Sequence, residues 1–335
     1  MVSPFFFIAL KIGAAANRRA LLQMEFLVKR FPPDYNQSME ALAVPQVRSF
    51  NRTVTEAIGA LEDQFLGRPW PLGEARLLWE IGPDGAEVGA LARRLGLDSD
   101  YVGRVLRSFE QQGLVLVRMN ADDPSVRRVC LTGAGLAERA ELDRRSDALA
   151  QRILEPLSDR QRTALVAAMT EVGRLVQASM VRIAIEDPAT PDARWCFEQY
   201  FAELNERFET GFNPALSIPA DVPELRRPAG ILLIARLGGR PVGCGALKFH
   251  GDAPAELKRM WISPDARGLG LGRRLLGELE QSAREEGAAV VRLETNRGLS
   301  EAIVLYKRSG YVEVAPFNDE PYAHHWFEKR LASAG

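Results

Sequence analysis

The sequence has few cysteines and histidines, and it lacks an apolar run long enough to cross a membrane. Its 3 cysteines lie far apart without a C-x-x-C pair, which argues against a disulfide framework and a zinc site. The apolar stretch from Phe5 to Leu10 is far shorter than the roughly 18 residues of a membrane span. We therefore expect a water-soluble protein of the reducing cytoplasm, with neither a bound metal nor a membrane partner.

The N-terminal segment also lacks the layout of a secretory signal. A signal carries positive charge ahead of its apolar region, whereas here the first cations follow that region. Residues 1–38 match neither of the domains described below, and Met24 and Met39 are alternative starts. We predict that this segment is a loose tail or precedes the true start.

The chain has no excess of charge of either sign. A formal net charge of -1 excludes a generally basic protein, so any contact with nucleic acid must come from a local patch. A hydrophobic content of 46% and a charged content of 26% are typical of folded proteins. The length of 335 residues is sufficient for two domains, which we assign to residues 39–180 and 181–335.

Two short amphipathic helices follow each other in the N-terminal half. Apolar residues recur at i, i+3, i+4 and i+7 in both, at Val88, Leu91, Ala92 and Leu95 and then at Val102, Val105, Leu106 and Phe109. Gly96 supplies a turn between them, and Asp98 or Ser99 can cap the second helix. The pattern predicts a helix-turn-helix.

A β-hairpin is predicted after these helices, because two β-branched runs at 115–119 and 127–131 surround a polar turn. The second helix of such a motif fits the major groove of double-stranded DNA, and a basic hairpin reaches phosphates or the minor groove. The candidate DNA contacts are Ser99, Tyr101, Arg104, Arg107, Arg127 and Arg128.

Residues 72–135 resemble the MarR family of transcription regulators. The matching segments are Leu95-Gly-Leu-Asp98, Tyr101-Val-Gly-Arg104-Val-Leu, Gln112-Gly-Leu-Val115 and Leu131-Thr-Gly-Ala-Gly135. The resemblance implies an all-α domain with a β wing, that is, a winged helix-turn-helix that binds double-stranded DNA. Gly103 and Ser125 depart from residues that this family often carries on its recognition helix and wing.

Helical stretches flank this core at 44–66, 135–153 and 159–180. In the resembled family such helices pair two subunits, so the resemblance implies a homodimer that presents two recognition helices to a pseudo-palindromic site. The alternative is that the apolar stripes cover only the core of a single chain.

The C-terminal half alternates strands with helices, which predicts an α/β domain with a mixed sheet. The predicted strands are 182–185, 231–235, 242–249, 257–262 and 290–294, and the predicted helices are 192–208, 269–286 and 300–309. Residues 251–254 and 317–322 are predicted loops. Asn318, Asp319 and Glu320 in the last loop can line an acceptor site, where the acids would attract a cationic amine, or they can be solvated.

A glycine-rich turn, Arg267-Gly-Leu-Gly-Leu-Gly272, joins one predicted strand to a helix. Its glycines allow an anion to approach the backbone, and a helix N-terminus offers unpaired N–H groups and partial positive charge. A P-loop would end in Gly-Lys-Ser/Thr, and the dinucleotide fingerprint has a different glycine spacing. The turn predicts a diphosphate site, with a chance glycine-rich turn as the alternative.

The stretch from Glu256 to Leu276 resembles the acetyl-CoA-binding segment of GNAT acetyltransferases, whose pattern is Arg/Gln-x-x-Gly-x-Gly/Ala. Leu293-Glu-Thr-Asn296 and Leu305-Tyr-Lys-Arg-Ser-Gly-Tyr311 are similar to the next two segments of that family, in the same order. The resemblance implies the GNAT α/β fold and an N-acetyltransferase that moves an acetyl group from acetyl-CoA to an amine. The sequence does not name that amine.

The resemblance also implies a role for each matched residue. Glu256 is the expected general base, with a solvated carboxylate as the alternative, and Tyr306 is the expected acid that protonates the departing thiolate, with a half-buried aromatic as the alternative. Asn296 takes the part of an asparagine that many members carry at the position of Leu299. The expected cofactor-binding residues are Ile262, Arg267, Gly268, Leu269, Gly270, Leu271, Gly272, Arg273 and Asn296.

Together the two halves predict a bifunctional protein, a MarR-like regulator and an acetyl-CoA-dependent N-acetyltransferase. Two alternatives stay open. In one, the GNAT-like domain of a regulator only senses acetyl-CoA; in the other, the winged helix of an acetyltransferase only dimerises.

Overall fold

The computed structural model describes residues 34–119, 126–251 and 253–332, with side chains from residue 43 onward in these ranges. Contacts between Cα atoms divide the chain into an N-terminal unit, Met1–Val176, and a C-terminal unit, Gln177–Gly335. The domain boundary that we placed between residues 180 and 181 stays a prediction. Most of the predicted tail, and the hairpin tip with Ser125, lie outside the described residues.

The N-terminal unit is built from helices around a small antiparallel sheet. The helices are α1 (Asp34–Ala57), α2 (Leu72–Ile81), α3 (Val88–Leu95), α4 (Ser99–Gln111), α5 (Gly133–Leu154) and α6 (Asp159–Met180), of which α6 crosses the boundary between the units. The strands β1 (Ala86–Glu87), β2 (Val115–Met119) and β3 (Arg127–Leu131) form a sheet in the order β1-β3-β2.

The turn between α3 and α4 follows from local chemistry. Gly96 adopts a φ of 63°, the left-handed conformation that ends α3. The Asp98 carboxylate accepts hydrogen bonds from the backbone N–H groups of Asp100 (2.9 Å) and Tyr101 (3.1 Å), which begins α4. The apolar stripe of α4 is buried, and Phe109 at its end packs edge-on against Trp70, with ring centres 5.6 Å apart.

One predicted helix of the N-terminal half has the wrong bounds. The stretch 44–66 was expected to be one helix, but α1 ends at Ala57. Gly59 then adopts a φ of 64°, and the chain turns before a short 3₁₀ turn at Phe65–Gly67. Because a left-handed glycine cannot continue a right-handed helix, the helix ends here.

The C-terminal unit is a mixed sheet with helices packed against it. Its strands are β4 (Arg182–Ile185), β5 (Gly230–Leu237), β6 (Arg240–His250), β7 (Ala253–Ile262), β8 (Val290–Thr295), β9 (Val312–Val314) and β10 (His325–Arg330), in the sheet order β4-β5-β6-β7-β8-β10-β9. Its helices are α7 (Pro191–Arg207), α8 (Leu271–Glu285) and α9 (Ser300–Arg308). The β7–β8 pair is parallel and the other pairs are antiparallel.

The predicted loop at 251–254 is wrong at its end, because β7 already begins at Ala253. Sequence analysis also missed β9, and it placed no bounds on the final strand β10. Both strands are short, and β10 is rich in charged residues, so neither carries a strong alternation of apolar and polar residues. Strand β10 is placed by its pairing with β8, which is distant in sequence, and β9 pairs with β10 at the edge of the sheet.

Helix α8 packs on the sheet through a buried stripe formed by Leu271, Leu275, Leu279 and Ala283. A Cβ atom added at Gly245 of β6 would lie 2.7 Å from a Leu279 methyl group, so the helix approaches the sheet closely there. Burying a leucine side chain contributes about 2 kcal/mol, and we expect this stripe to fix the start of α8 against β6 and β7. None of the helices in the described ranges combines the length and apolarity of a membrane span.

Candidate active site

The sheet of the C-terminal unit opens between β7 and β8. Their parallel pairing joins Ala255 to Val291 and Glu256 to Arg292, and it does not extend to the later residues of either strand, all of which are described. A cavity of about 370 Å³ is lined by the later residues of both strands, from Leu257 to Met260 and from Leu293 to Thr295. The opening therefore gives ligands access to the centre of the sheet.

A bulge in β7 changes the direction of its side chains at the opening. The register with β6 steps from Cys244↔Trp261 to Ala246↔Lys258, so one residue of β6 lies opposite two of β7. Arg259 within the bulge has a φ of 53°, in the left-handed region that non-glycine residues rarely adopt. Such strain is often found at functional sites, and here Arg259 lines the cavity between β7 and β8.

A second cavity, of about 560 Å³, borders the glycine-rich turn; we name it the glycine-turn cavity. All of the predicted cofactor-binding residues line it except Leu269 and Asn296. Leu269 instead packs against the apolar cluster around Leu271. Asn296 lines the other cavity and uses its side chain internally: its Nδ2 donates to the Tyr322 carbonyl (2.7 Å) and its Oδ1 accepts from Gly298 (2.8 Å). Neither side chain lines the glycine-turn cavity, and the cofactor-binding roles expected for Leu269 and Asn296 stay predictions.

The wall of the glycine-turn cavity is the N-terminus of α8. Gly268 and Gly270 adopt φ values of 77° and 73°, and a Cβ atom at either would meet nothing within 4 Å. The first helical bond runs from Arg274 to the Gly270 carbonyl (3.2 Å). The N–H groups of the preceding helical residues thus lie at the open helix end, where they and the helix dipole favour an anion.

Two arginines lie beside this helix end. Arg267 donates to the Ile262 carbonyl through Nε (3.1 Å) and forms an ion pair with Glu203 through Nη2, so its charge is already largely compensated. Arg273 lines the cavity in the first turn of α8. The cavity thus combines backbone N–H groups with guanidinium charge, which fits the diphosphate of CoA.

The cavity at the opening of the sheet has aromatic walls, and we name it the aromatic cavity. Its rings form a connected cluster with centres 4.9 to 5.8 Å apart between neighbours: Tyr200, Phe201, Phe208, Phe212 and Tyr322. They come from α7, the chain after it and the last loop. This cluster was not predicted from the sequence, although the aromatic residues between positions 195 and 212 were a signal for it.

Four buried or half-buried charges lie together at the start of the opening. Glu256 accepts a hydrogen bond from Arg292 (2.6 Å) and lies 3.5 Å from Lys258, which also forms an ion pair with Glu294. Burial would raise the pKa of Glu256, but the hydrogen bond from Arg292 and the charges of Lys258 and Arg292 lower it. Glu256 is not among the residues that line either cavity, whereas Glu294 lines the aromatic cavity.

Tyr306 of α9 lies where the two cavities meet, because it lines both of them. Its side chain is buried, and burial followed by the negative charge of Glu294 raises the pKa of its phenol. The hydroxyl therefore stays protonated through the neutral range and is available as a proton donor. The other residues common to both cavities are Tyr200, Leu204, Met260, Leu299 and Ala302.

Residues 191–311, which lie in the C-terminal unit, match the sequence model of the Acetyltransferase (GNAT) family. The IAA acetyltransferase of Azospirillum brasilense is 34% identical over 143 residues, which cover 42% of this chain and 90% of that protein. The chain belongs to the GNAT family of acetyltransferases. Family membership confirms the predicted α/β mixed-sheet fold, the N-acetyltransferase class and acetyl-CoA as the acetyl donor.

Two further matches lie in the same family. The N-alpha-acetyltransferase RimI of Mycobacterium tuberculosis is 35% identical over 94 residues, which cover 27% of this chain and 58% of that protein. Among solved structures, a GNAT-family acetyltransferase from Staphylococcus aureus is 15% identical and has a TM-score of 0.40, with 45% of this chain and 99% of that chain covered.

The N-terminal unit presents a separate basic surface on α4. Ser99, Arg104 and Arg107 are exposed on one side of this helix. The Arg104 guanidinium lies 5.5 Å from the centre of the Tyr101 ring, which packs partly against the core of the unit. Tyr101 is half-buried between Arg104 and the core, and its role as a DNA contact stays a prediction.

The β2–β3 hairpin continues this basic surface. Arg127 and Arg128 are exposed, as predicted contacts should be, and Arg128 donates to the Asp84 carbonyl (2.6 Å). Arg118, which sequence analysis did not single out, is also exposed and lies directly opposite Arg128 in the register. Like charges opposite each other destabilise a sheet, and a bound anion would relieve their repulsion.

Proposed function

We propose that the C-terminal unit acetylates a small amine with acetyl-CoA, and that the N-terminal unit binds double-stranded DNA as a MarR-like winged helix. The observation that carries the enzymatic half is the meeting of two cavities at Tyr306. One cavity has the wall of backbone N–H groups that a diphosphate requires. The other has aromatic and carboxylate side chains that suit an amine with an apolar body.

The glycine-turn cavity supplies the donor site in this proposal. Backbone N–H groups between Gly268 and Arg273 hold the diphosphate, and the Arg273 guanidinium adds charge. The edge of β7 from Met260 to Ile262 borders the same cavity and can pair with the extended pantetheine arm as an added strand. Acetyl-CoA, when bound, supplies the activated thioester.

The aromatic cavity supplies the acceptor site. An amine is mostly protonated at neutral pH, so a base must take its proton before the nitrogen can attack. We give this role to Glu294 rather than to Glu256, because Glu294 lines the aromatic cavity, whereas Glu256 lines neither cavity and accepts a hydrogen bond from Arg292. Asn318 donates a long hydrogen bond (3.3 Å) to the second oxygen of Glu294.

The transfer forms a bond between the acceptor nitrogen and the acetyl carbon and breaks the carbon–sulfur bond of the thioester. Glu294 receives the proton that the amine loses. Tyr306 gives a proton to the departing sulfur, since its raised pKa keeps the phenol neutral. Solvent exchange then restores both groups for the next turnover.

The basic surface of α4 and the hairpin supports the DNA-binding half. Arg104 and Arg107 are exposed on the helix that would enter the major groove, and the exposed hairpin arginines would contact phosphates. The absence of a net positive charge fits binding by a local patch. Free cysteines at positions 130, 196 and 244 agree with the reducing cytoplasm, where such a regulator acts.

We further propose a homodimer formed through the long helices. No described residue of α6 is buried, and the helix exposes Val166, Leu175 and Met180. Helix α1 likewise exposes Val44 and Val47. Exposed apolar residues on long helices indicate an interface, and a two-fold axis would present two copies of α4 to one DNA site.

The enzymatic half is tested by thiol release from acetyl-CoA across amines, amino acids and peptides, combined with calorimetry of acetyl-CoA binding. We expect binding and thiol release above the hydrolysis background with at least one acceptor. Tight binding without release for any acceptor would favour a sensor of acetyl-CoA, and no binding would overturn the proposal.

The DNA-binding half is tested with Arg104→Ala and with Arg93→Ala, which removes an exposed arginine of α3, as the matched control. Arg104→Ala is expected to weaken binding to the protein's own promoter region by about 10-fold and to weaken binding to random duplex less. Arg93→Ala is expected to change binding by less than about 3-fold. Equal losses on both duplexes would mean that Arg104 contacts only phosphates.

A further inference from the structure

Arg259 carries a charge that the protein does not neutralise at close range. Its guanidinium lies between the rings of Phe197 and Phe201, 4.8 Å from each centre, and Nη2 donates to the Ala220 carbonyl (2.7 Å). Within the described part of the chain, no carboxylate forms an ion pair with it, and its buried Nε lacks a hydrogen-bond partner. Arg259 nevertheless lines the aromatic cavity.

The surroundings of Arg259 make this arrangement costly for the empty protein. Burial lowers the pKa of its guanidinium, and the nearest acids act only through space: Asp221 and Glu224. Glu224 is already in an ion pair with Lys248, 2.7 Å away. A buried cation without a paired anion is destabilising. The carboxylate of a ligand would pair with the Arg259 guanidinium and so favour binding.

Glu320 presents the opposite case in the same cavity. Its carboxylate is buried and accepts hydrogen bonds from the Ser217 hydroxyl (2.9 Å) and the Ile218 N–H group (2.7 Å), both neutral donors. No ion pair with a cation is formed by Glu320 among the described residues. The ammonium group of a ligand in the cavity would supply a cation for Glu320.

Aromatic rings form a large part of the remaining wall. The aromatic cluster of Tyr200, Phe201, Phe208, Phe212 and Tyr322 surrounds a space of about 370 Å³, which suits a small molecule. Rings of this kind bind a large apolar side chain by burial and edge contacts. Besides the Lys258–Glu294 ion pair, the cavity thus offers a cation, Arg259, and a buried anion, Glu320, that form no ion pair among the described residues, next to an aromatic wall.

We propose that the acceptor is a free amino acid with a large apolar side chain, with Arg259 binding its α-carboxylate and Glu320 attracting its amino group. The proposal rests on the acetyltransferase function above and adds the chemical class of the acceptor. The α-carboxylate distinguishes this class from simple amines, and also from peptide N-termini, in which an amide replaces the carboxylate.

The test compares L-phenylalanine with L-phenylalaninamide, in which a neutral amide replaces the α-carboxylate while the side chain is the same. With the full-length protein and saturating acetyl-CoA, we expect kcat/KM to be about 10-fold or more higher for L-phenylalanine, because a charged hydrogen bond is lost with the amide. The amide has the more readily deprotonated amine, so any bias from amine basicity works against this expectation.

Two variants assign the preference to Arg259. Arg259→Gln is expected to reduce the ratio of the two kcat/KM values to about 1, and Arg259→Lys, which keeps the charge, is expected to retain part of it. Both substitutions keep a non-glycine residue at the same backbone strain. The ratio is the readout, because a general loss of structure would lower both values together.

The outcomes separate this inference from the proposed function. The inference is wrong if the wild-type protein has equal kcat/KM values for L-phenylalaninamide and L-phenylalanine. It is also wrong if Arg259→Gln keeps the preference for L-phenylalanine. If calorimetry detects acetyl-CoA binding and other amines release thiol while apolar amino acids do not, the acceptor class is wrong and the acetyltransferase function stands. If acetyl-CoA does not bind, both fail.

Discussion

The glycine-turn cavity and the aromatic cavity meet at Tyr306 but are built in different ways. The first is bordered by one segment of the chain, between Ile262 and Arg273, with N–H groups at a helix end. The second is assembled from side chains of segments as far apart as Tyr200 and Tyr322. Backbone binding tolerates changes of side chain but requires glycine conformations, whereas every substitution in the aromatic cavity changes its shape or charge.

This difference suits the different requirements for binding the acetyl donor and the acceptor. The donor has an invariant diphosphate and arm, which suit a backbone site. The acceptor must be selected from many amines, which requires side chains of defined charge and shape. We expect substitutions to affect one cavity without the other, except at the residues that both share.

The largest effect is expected for Glu294→Gln, which tests whether the base belongs to the aromatic cavity. The glutamine keeps the size of the side chain but cannot take the proton from the amine. We expect kcat to fall by about 100-fold, with the KM for acetyl-CoA changed less than about 3-fold, in steady-state thiol-release assays. An unchanged kcat would show that Glu294 is not the general base.

Glu256→Gln is the matched control, because both carboxylates contact Lys258. We expect kcat to stay within about 3-fold but the free energy of unfolding to fall by about 3 kcal/mol at pH 7, since Arg292 loses its partner. The folded-state pKa of Glu256 is lowered, so its stabilisation is present above the unfolded value of about 4.3 and is lost as the pH falls through the lower folded value. The difference between wild type and variant in urea unfolding should therefore disappear in strong acid.

Tyr306→Phe tests the junction of the two cavities. We expect kcat to fall by about 30-fold, less than for Glu294→Gln, because a thiolate of pKa about 8.5 leaves without much help from an acid. Both KM values should change by less than about 3-fold. Tyr311→Phe is the control, since Tyr311 packs against Tyr306 (5.8 Å between ring centres) but lines neither cavity; similar losses in the two variants would argue for a packing role.

Gly270→Ala tests the backbone site alone. Alanine is disfavoured at a φ of 73°, and the N-terminus of α8 would shift. We expect the KM for acetyl-CoA to rise by about 10-fold with no change in the KM for the acceptor, and calorimetry should report the same loss of affinity. Gly277→Ala, in the middle of α8 where a Cβ meets nothing within 4 Å, should leave both constants unchanged.

The smallest effect is expected for Phe212→Ala in the aromatic cavity. Removing one of five clustered rings should raise the KM for an apolar acceptor by about 5-fold through lost burial. The KM for acetyl-CoA should not change, because Phe212 does not line the glycine-turn cavity. If both KM values rise together, the two cavities are not separate sites.

The same difference explains what the sequence could predict. The glycine-turn cavity comes from neighbouring residues with a strand before them and a helix after them, so its position follows from local pattern. The direction of the Asn296 side chain could not be predicted from the sequence, because it depends on the opening between β7 and β8 and on the last loop, to which it donates a hydrogen bond. The surroundings of Glu256 could not be predicted for a related reason, since they depend on the pairing of β7 with β8, which brings Arg292 beside it.

The aromatic cavity could not be derived from local patterns. Tyr322 lies more than 100 residues after the other four rings, and the left-handed conformation of Arg259 arises from a bulge that depends on pairing with β6. In the N-terminal half, by contrast, the apolar stripes predicted which residues of α3 and α4 are buried. Residues on one face of a helix recur every three or four positions, so this pattern is local.

The central claim, that two cavities open on Tyr306 at the same time, is tested most directly by initial rates of thiol release with acetyl-CoA and the acceptor varied together. Simultaneous occupation predicts double-reciprocal lines that intersect, and acetylated amine equal in amount to the thiol released. Parallel lines, the sign of an acetyl group held first by the protein, or thiol released without acetylated amine, would contradict it.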